Sequence, residues 1–424
     1  MTVIEDARLR IDQERLWQSI QALARHGAYD DPATGLQGVD RASLSDADVD
    51  ARRALIGWME EAELTIRIDR IGNIYGRREG TVPGSAPVMA GSHIDSVPTA
   101  GAFDGCLGVL GALEVVRALN DQGLSTRRPL EIACFTEEEG TRFGTDMLGS
   151  AVAAGRIPLE DAHALTDAEG RSLGSELART GFLGEADPRL SPPHAYVECH
   201  IEQGPILIGQ GIDVGVVRGA QGISWQEITI RGRAAHAGAT PIELRLDAGL
   251  AAAATITHLR QMAESGTFGQ LRATVGRLHL APDAVNIIPA EAVFTVDLRS
   301  PDDDHMAQAE AALMGFLDAL RDASPGLGVS VRRMAKTSYV GFDRRVGQLV
   351  ADVADDLGLS HTSLVSGAGH DAQELAVLCP TGMVFVRGEH DGISHTPREY
   401  STPEACAQGI SVLAETVVRL AHDD

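Results

Sequence analysis

The segment that decides the fold is Gly91-Ser92-His93-Ile94-Asp95, followed downstream by Gly101-Ala102-Phe103-Asp104-Gly105. Just before it, Pro87-Val88-Met89-Ala90 is a short apolar run bounded by turn residues, which predicts a buried strand. His93 would lie where that strand ends, and open α/β sheets bind ligands at that edge. Its imidazole and the carboxylate of Asp104 are suitable ligands for Zn²⁺, Mn²⁺ or Co²⁺. Asp95 could orient the imidazole of His93 without itself binding the metal.

Three further predicted strands end in candidate ligands. Strand 130–135 runs into Thr136-Glu137-Glu138-Glu139-Gly140, strand 195–200 ends at a histidine, and strand 383–386 leads to another. An isolated His-x-Asp also fits an ordinary histidine, and an acidic turn can simply be solvated. Bound cations account better for three adjacent carboxylates, because they supply the compensating charge. The strand ends therefore predict a site that contains His93, Asp104, Glu138, Glu139, His200 and His395.

The five cysteines include two near the candidate ligands, Cys106 and Cys199. A thiolate ligand is one interpretation. Neighbouring residues of a strand point to opposite faces, so if His200 meets a metal, Cys199 faces the packed side. Free cysteine is commonly a small buried apolar residue. The odd number and the lack of a Cys-x-x-Cys pair fit a reducing compartment.

The composition favours a soluble enzyme of about two domains. The chain has 424 residues, and 44% hydrophobic residues are enough for a core. Lys and Arg number 36 against 60 Asp and Glu, and the net charge of −24 disfavours nucleic acid or an anionic membrane as a partner. No apolar stretch approaches the roughly 18 residues of a transmembrane helix. Residues 1–15 lack the apolar core of a secretory signal, so we predict a cytoplasmic protein.

The periodicity of apolar residues divides the chain into two parts. Between about 88 and 212, short apolar strands alternate with helical segments, which predicts a largely parallel sheet with covering helices. After that the order changes to β-α-β-β-α and a further strand. We therefore predict an α/β protein with a discontinuous first domain, residues 1–214 and 334–424, and an inserted α+β domain, residues 215–333.

Local patterns predict individual elements. Helical spacing of apolar residues covers about 11–27, 45–62, 243–262 and 302–323. Residues 66–77 are expected to form a hairpin. The stretch 166–193 is rich in Gly, Ser, Asp and Pro, and we predict a surface loop there.

The inserted domain carries polar residues that suggest a ligand. Arg299 ends a predicted strand, Asn286 lies in the preceding loop, and His236 lies in a Gly-rich turn. An arginine fork binds a carboxylate through two hydrogen bonds. A surface salt bridge is the alternative for Arg299. A carboxylate-bearing ligand would need such a dedicated cation, since the acidic protein as a whole repels it.

Nearly the whole chain resembles the M20-type di-metal aminohydrolases, in particular their carbamoylase and ureidohydrolase branch. The resemblance rests on the order and spacing of eight motifs. These are Gly-Ser-His-Ile-Asp-Ser-Val-Pro (91–98), Phe-Asp-Gly (103–105), Thr-Glu-Glu-Glu-Gly-Thr-Arg-Phe (136–143), His-Ile-Glu-Gln-Gly-Pro (200–205), His-Ala-Gly-Ala-Thr-Pro (236–241), Asn-Ile-Ile-Pro (286–289), Gly-Ala-Gly-His-Asp-Ala (367–372) and Gly-Ile-Ser-His-Thr-Pro (392–397).

The resemblance implies a catalytic domain with two divalent metal ions per subunit, either Zn²⁺, Mn²⁺, Co²⁺ or Ni²⁺. Asp104 would bridge the ions, His93 and His200 would complete one site, and Glu139 and His395 the other. The inserted domain would be a lid and dimerisation domain, and the enzyme a homodimer. In related dimers some lid residues reach the partner's site.

The resemblance also implies roles for the remaining residues. Glu138 would be the general base, and His236 would polarise the scissile carbonyl. Arg299 and Asn286 would hold the substrate carboxylate. Further substrate contacts would come from Gln203 and Gly369. For His370 a structural hydrogen bond and a substrate contact both remain open.

The implied activity is hydrolysis of the ureido C–N bond of N-carbamoyl-L-amino acids to amino acid, ammonia and carbon dioxide. Allantoate and N-carbamoyl-β-alanine are alternative substrates, because both carry a carboxylate and a ureido group. An aminoacylase or dipeptidase is less favoured, because many peptidase relatives have a carboxylate at the position of His200. A non-catalytic binding protein is the alternative of a different class, which the complete set of ligands and Glu138 disfavours.

Overall fold

The computed structural model describes residues 2–3 and 8–423. Residues 1, 4–7 and 424, which the prediction placed in the first domain, lie outside the described residues. The chain splits into two compact units, unit 1 (Met1–Gly219 and Gly341–Asp424) and unit 2 (Ala220–Val340). Both divisions fall a few residues beyond the predicted boundaries at 214 and 333.

The elements follow in chain order. The α-helices are α1 (Gln13–Ala24), α2 (Asp46–Glu61), α3 (Cys106–Asp121), α4 (Leu148–Ala154), α5 (Leu159–Ala164), α6 (Leu173–Thr180), α7 (Ile206–Gln210), α8 (Ala248–Glu264), α9 (Asp303–Ala323), α10 (Arg344–Leu357), α11 (Asp371–Leu375) and α12 (Pro403–His422). The strands are β1 (Thr2–Val3), β2 (Ala28–Asp30), β3 (Gln37–Val39), β4 (Thr65–Ile68), β5 (Ile74–Arg78), β6 (Val88–His93), β7 (Leu124–Ser125), β8 (Leu130–Phe135), β9 (Ala195–Ile201), β10 (Val214–Ala220), β11 (Gly222–Arg231), β12 (Ala235–His236), β13 (Arg272–Thr274), β14 (Leu278–Ala281), β15 (Ile287–Ile288), β16 (Glu291–Ser300), β17 (Gly328–Thr337), β18 (Val340–Gly341), β19 (His361–Ser366) and β20 (Thr381–Val386).

Unit 1 is built on a nine-stranded sheet in the order β18-β10-β20-β9-β6-β8-β5-β4, with β19 also paired to β10. The four central strands β20, β9, β6 and β8 run parallel. Antiparallel strands flank them, β10 on one side and β5 with β4 on the other. The predicted parallel sheet is therefore confirmed at its centre, and the β4–β5 pair is the predicted hairpin.

The central strands are buried along their whole length because helices cover both faces of the sheet. Helix α3 contacts β6, β8 and β9, and it also packs against α1 and α12. On β9 and β20 the short helix α11 adds further contacts. This double coverage explains why the strands are continuous apolar runs in the sequence.

Unit 2 contains an antiparallel sheet in the order β13-β16-β11-β17, with β14 also paired to β16. Residues of β16 alternate between buried and half-buried, as expected when helices cover one face. Helices α8 and α9 pack against this sheet and against each other. Helix α8 begins at 248, later than predicted, because Asp247 caps it by accepting the backbone N–H of Leu250.

The loop predicted over 166–193 is wrong for part of its length, because helix α6 lies within it. Leu173 and Leu177 are fully buried. Ser172 caps the start of the helix and Gly181, with φ of 80°, ends it. The capping residues are the residue types that made this stretch resemble a loop.

Candidate metal centre

The predicted ligands of unit 1 converge at one edge of the parallel strands. His93 ends β6 and His200 lies near the end of β9. Glu138 and Glu139 follow β8, and His395 lies in the loop after β20. These four strands are neighbours in the sheet. Since the carboxyl ends of parallel strands meet at the same edge, the fold brings together residues that are far apart in sequence.

Asp104 lies at the centre of this group. Its Oδ1 is 3.1 Å from Nε2 of His200 and 3.5 Å from Nε2 of His93. Its Oδ2 is 3.4 Å from Nε2 of His395. The carboxylate therefore faces histidines on both sides, as a bridging ligand would.

Two groups of possible metal ligands share this carboxylate. One is His93, Asp104 and His200, and the other is Asp104, Glu139 and His395; in each group the donor atoms lie within 4.8 Å of one another. The structure also forms a third group, Glu198, His200 and His370. None of the groups found among residues 8–423 contains a cysteine, so the thiolate interpretation of Cys106 and Cys199 has no support in the structure.

Backbone carbonyls orient the two buried imidazoles. Nδ1 of His93 lies 3.0 Å from the carbonyl oxygen of Asp95, and Nδ1 of His200 lies 2.9 Å from that of Ile201. A carbonyl oxygen only accepts, so both Nδ1 atoms carry the proton. Each Nε2 then carries a lone pair that can bind a cation when the ring is neutral. In this structure the lone pair of His200 accepts the backbone N–H of Gly105 at 3.1 Å.

Asp95 acts on His93 through both its backbone and its side chain. Its carbonyl forms the hydrogen bond to Nδ1 of the ring, and its carboxylate oxygen Oδ1 lies 3.8 Å from the same nitrogen. Its carboxylate accepts the backbone N–H groups of Glu138 and Glu139, each at 3.3 Å. Asp95 thus connects the histidine of β6 with the acidic turn after β8.

The acidic turn places its three carboxylates differently. Glu137, with φ of 56°, accepts the backbone N–H groups of Arg142 and Phe143. Oε2 of Glu138 lies 3.5 Å from Nε2 of His93, and Oε2 of Glu139 lies 3.5 Å from Nε2 of His395. Only Glu138 and Glu139 therefore face the histidines.

Asn73 and Gly149 hold the backbone at the start of this turn. The N–H of Thr136 donates to Oδ1 of Asn73 at 3.0 Å, and the N–H of Gly149 donates to the carbonyl of Thr136 at 2.8 Å. The amide of Asn73 donates to the carbonyl of Gly149 and to the carboxylate of Asp69, each at 3.0 Å. Gly149 is required here, because a Cβ would lie 2.2 Å from Oδ1 of Asn73.

A second buried carboxylate, which the sequence analysis missed, supports Asp104. Oε1 of Glu399 accepts the backbone N–H groups of Phe103 and Asp104 at 2.9 and 3.1 Å. Ser394 Oγ lies 2.6 Å from Oε2 of Glu399 and 2.9 Å from Oδ2 of Asp104. The only signal in the sequence is that Glu399 follows His395 by four residues.

The electrostatics of the centre are dominated by burial. Burial raises the pKa of Glu138 well above its usual range, with His93 opposing this and Asp371 adding to it. Burial also acts to raise the pKa of Asp104, but the neighbouring histidines, His200 first, hold it well below its usual range. The pKa of Glu139 is raised to about 7 by burial and by Asp104.

These residues fit divalent metal ions. Imidazole nitrogens and carboxylate oxygens are the donors that Zn²⁺, Mn²⁺ and similar ions use. Oε1 of Glu139 is buried and has no hydrogen-bond partner among the residues that the structure describes. A buried acceptor without a donor is unfavourable by about 1–3 kcal/mol, and a cation would satisfy it.

Gln203 and His370 also lie at this centre. Nε2 of Gln203 donates to Oδ2 of Asp104 at 2.6 Å. His370 is buried, its ring centroid is 4.6 Å from that of His200, and its Nε2 lies 2.8 Å from Oγ of Ser366. This bond favours the structural interpretation of His370. Gly369 precedes it, just before α11.

The other predicted residues belong to unit 2, where His236 and Asn286 are neighbours. The N–H next to His236, that of Ala237, donates to the carbonyl of Asn286 at 3.0 Å. Nδ1 of His236 accepts the N–H groups of Gly238 and Ala239, each at 3.1 Å. A neutral ring then carries its proton on Nε2. Nε2–H can donate to a carbonyl oxygen, as the predicted role requires.

Arg299 lies on β16 and is paired with Asp297. Nε lies 3.2 and 3.1 Å from the two carboxylate oxygens, and Nη2 lies 3.0 Å from Oδ2. The salt bridge considered as an alternative is therefore present. A substrate carboxylate would have to bind in the presence of this partner.

Comparison with known proteins identifies the family. The model of peptidase family M20/M25/M40 matches residues 89–419. The chain belongs to this family. Together with the relatives described next, this confirms the predicted family, the mixed α/β architecture and the assignment as a metal-dependent amide hydrolase. Within the described residues, no helix has the length and apolar character to cross a bilayer.

Several relatives are similar along nearly the whole chain. An N-carbamoyl-L-amino-acid amidohydrolase of Rhizobium meliloti is 41% identical over 97% of both chains. A ureidoglycolate hydrolase of Arabidopsis thaliana is 36% identical over 98% of this chain and 88% of its own. A crystal structure of an amidase of the hydantoinase/carbamoylase family from Burkholderia multivorans superimposes with a TM-score of 0.92 at 41% identity, covering 98% of this chain and 100% of the other.

Substitutions should separate the two ligand groups. Asp104→Asn should reduce metal binding at both groups, because both share this carboxylate, whereas His395→Ala should affect one. Elemental analysis after dialysis should then give about two ions for the wild type, about one for His395→Ala and fewer for Asp104→Asn. His370→Asn is the control and should retain both ions. Loss of one ion in that control would assign it to the group with Glu198.

Asn73→Ala should lower turnover by loosening the turn that carries Glu138 and Glu139. The matched control is Tyr75→Phe, which removes a buried hydroxyl bonded to Asp69 in the same cluster but does not touch Thr136. Asn73→Ala removes four of the hydrogen bonds of this cluster and Tyr75→Phe removes two, and each buried group left unpaired lowers stability by about 1–3 kcal/mol. Thermal unfolding should therefore show the larger destabilisation for Asn73→Ala, and kcat, measured at a temperature where both variants are folded, should fall more for Asn73→Ala. Equal losses of kcat would contradict the positioning role.

Proposed function

We propose that the protein hydrolyses the ureido C–N bond of N-carbamoyl-L-amino acids to amino acid, ammonia and carbon dioxide. The observation that carries this proposal is the pair of ligand groups around Asp104 with the carboxylate of Glu138 beside them. Similarity to an N-carbamoyl-L-amino-acid amidohydrolase over 97% of the chain supports the substrate class.

The metal ligands in this proposal are His93, Asp104, Glu139, His200 and His395. Divalent ions held there would supply Lewis acidity and make water a stronger acid. Glu138 would act as the general base, taking a proton from the attacking water and returning it to the leaving nitrogen. Its position, with Oε2 3.5 Å from Nε2 of His93, supports this role.

Gln203 supplies an acceptor suited to the ureido group. Because a carboxylate only accepts, the side of the Gln203 amide that faces Asp104 is the NH₂. Oε1 is then the other end, and this buried atom has no hydrogen-bond partner among the described residues. We expect it to accept an N–H of the substrate. Gly369 would contribute a further contact.

Unit 2 would contribute the remaining substrate contacts. In this proposal Nε2–H of His236 donates to the ureido carbonyl oxygen as negative charge develops there, and one such donor is typically worth roughly 3 kcal/mol. Arg299 and Asn286 would hold the substrate carboxylate. The tautomer of His236 set by Gly238 and Ala239 supports the first assignment.

The nearest alternative keeps this chemistry and changes the ureido acid. Similarity to a ureidoglycolate hydrolase favours that possibility. Allantoate and N-carbamoyl-β-alanine belong to the same chemical class. A panel of these compounds and N-carbamoyl-L-amino acids, with ammonia release as the readout, distinguishes them, and the proposal requires the highest kcat/KM for an N-carbamoyl-L-amino acid.

Glu138→Gln should retain the fold and the metal ions while losing most turnover. The amide is nearly isosteric but cannot accept the proton of water, and general-base catalysis typically contributes about 10²–10⁴ to the rate. The effect should appear in kcat, measured beside metal content. In this background Asn73→Ala should lose the part of its effect on kcat that passes through Glu138, and any remaining loss would pass through Glu139. A wild-type kcat would make another residue the base.

Arg299→Lys should reduce the preference of the enzyme for substrates with a free carboxylate. The substitution keeps the charge but loses the fork. Comparing kcat/KM for an N-carbamoyl amino acid and its carboxamide measures this preference, because the two differ only in that charge. Asp297→Asn is the matched control, since it breaks the same ion pair and leaves the guanidinium in place. If both variants changed the two rates equally, Arg299 would be structural.

The proposal includes a homodimer formed through unit 2. Residues 220–340 carry 11 Lys and Arg against 13 Asp and Glu, so most of the net charge of −24 belongs to unit 1. More than half of the exposed large apolar side chains are in unit 2, namely Trp225, Ile242, Leu244, Leu250, Leu278, Leu280, Val285, Met314 and Met334. A nearly neutral, apolar surface allows two acidic chains to associate.

Sedimentation equilibrium should give twice the mass of the 44.8 kDa chain. Substituting two of these apolar residues by Asp, for example Leu278 and Leu280, should shift the equilibrium toward the monomer if they lie in the interface. A wild-type monomer at micromolar concentration would exclude the dimer.

A further inference from the structure

A pocket of about 700 Å³ in unit 1 adjoins the metal centre. Two loops form it, one after β9 and one after β20. Gln203 and Ser394 line it, and both contact Oδ2 of Asp104, at 2.6 and 2.9 Å. A ligand bound at the centre can therefore extend into this pocket.

The walls of the pocket are fixed by close contacts. A Cβ at Gly392, where φ is +66°, would lie 1.7 Å from the carbonyl oxygen of Gly204, so only glycine lets the two loops meet. Nδ1–H of His390 donates to the carbonyl of Arg398 at 2.8 Å. The next residue, Glu399, holds the backbone of Asp104. The backbone of Arg398 is thus tied to the centre through its neighbour.

The pocket is lined by two side chains of opposite charge that do not form an ion pair with each other. Arg398 and Asp391 both line it. Among residues 8–423, no carboxylate lies within 4.0 Å of the guanidinium of Arg398, and Asp391 forms no ion pair either. In a chain with net charge −24, an arginine without a carboxylate partner beside the site is available for an anionic ligand.

We propose that this pocket receives the side chain of the substrate and that Arg398 favours a side chain that ends in a carboxylate. The chemical class is the N-carbamoyl derivatives of acidic amino acids. The guanidinium can bind the second carboxylate through two hydrogen bonds. Asp391 opposes this binding through repulsion, so the two residues set the preference in opposite directions. The inference rests on the proposed function.

The test compares N-carbamoyl-L-aspartate with N-carbamoyl-L-asparagine, which have nearly the same shape and differ in side-chain charge. The quantity measured is the ratio of kcat/KM for the acid over the amide. Arg398→Gln should lower this ratio about two- to fivefold, a modest effect because the side chain is exposed. Asp391→Asn should raise it several-fold. Arg25→Gln, an exposed arginine at the end of α1, is the control and should leave the ratio at the wild-type value.

Opposite shifts in the two pocket variants support the inference, because a general loss of structure would move both in one direction. An unchanged ratio in Arg398→Gln, or shifts of the same sign, would overturn it. N-carbamoyl-L-glutamate and N-carbamoyl-L-glutamine have side chains that are one methylene longer, and the ratio of their kcat/KM values provides a second measurement. If the wild type hydrolysed no N-carbamoyl amino acid, the proposed function itself would have failed. If it hydrolysed N-carbamoyl amino acids with uncharged side chains and Arg398→Gln left the ratio of kcat/KM unchanged, only this inference would fail.

Discussion

The burial of several carboxylates close to one another is the constraint on which the rest of the structure depends. The buried carboxylates of unit 1 around the centre are those of Asp95, Asp104, Glu137, Glu138, Glu198, Asp371 and Glu399. An isolated buried ion is unfavourable by several kcal/mol, so each group needs a donor, a proton or a cation. The order of the parallel strands answers this need by bringing three imidazoles to the same edge. Divalent ions would complete the compensation.

The same hydrogen bonds that compensate charge also set geometry. The carboxylate of Asp95 accepts the N–H groups of Glu138 and Glu139, and that of Glu399 accepts the N–H of Asp104. Each bond stabilises a buried anion and at the same time fixes a segment that bears a ligand. Asn73 adds the neutral counterpart by holding the backbone of Thr136. Loss of any of these groups should therefore disturb charge balance and alignment together.

The ligands could be predicted from sequence because each one follows an apolar strand, and parallel strands end at a common edge. Glu399 and Asn73 could not, because their partners lie 295 and 63 residues away. In the sequence Asn73 indicates only the turn of a hairpin. Helix α6 was missed for a related reason, since its cap residues also occur in loops. The hydrogen bond between the ring of His93 and the carbonyl of Asp95 depends on the conformation of the backbone, which cannot be predicted from the residue types alone.

The two arginines show how strand periodicity bears on function. Residues two apart on a strand share a face, so the sequence already places Asp297 beside Arg299, and the structure pairs them. A guanidinium has five N–H donors, and those that face Asp297 are occupied. A substrate carboxylate proposed to bind Arg299 would therefore share the guanidinium with Asp297. Arg398 lies in a loop with no carboxylate within 4.0 Å among the described residues. In our proposal, a carboxylate that binds Arg398 would displace no carboxylate of the described residues, whereas one that binds Arg299 would share the guanidinium with Asp297.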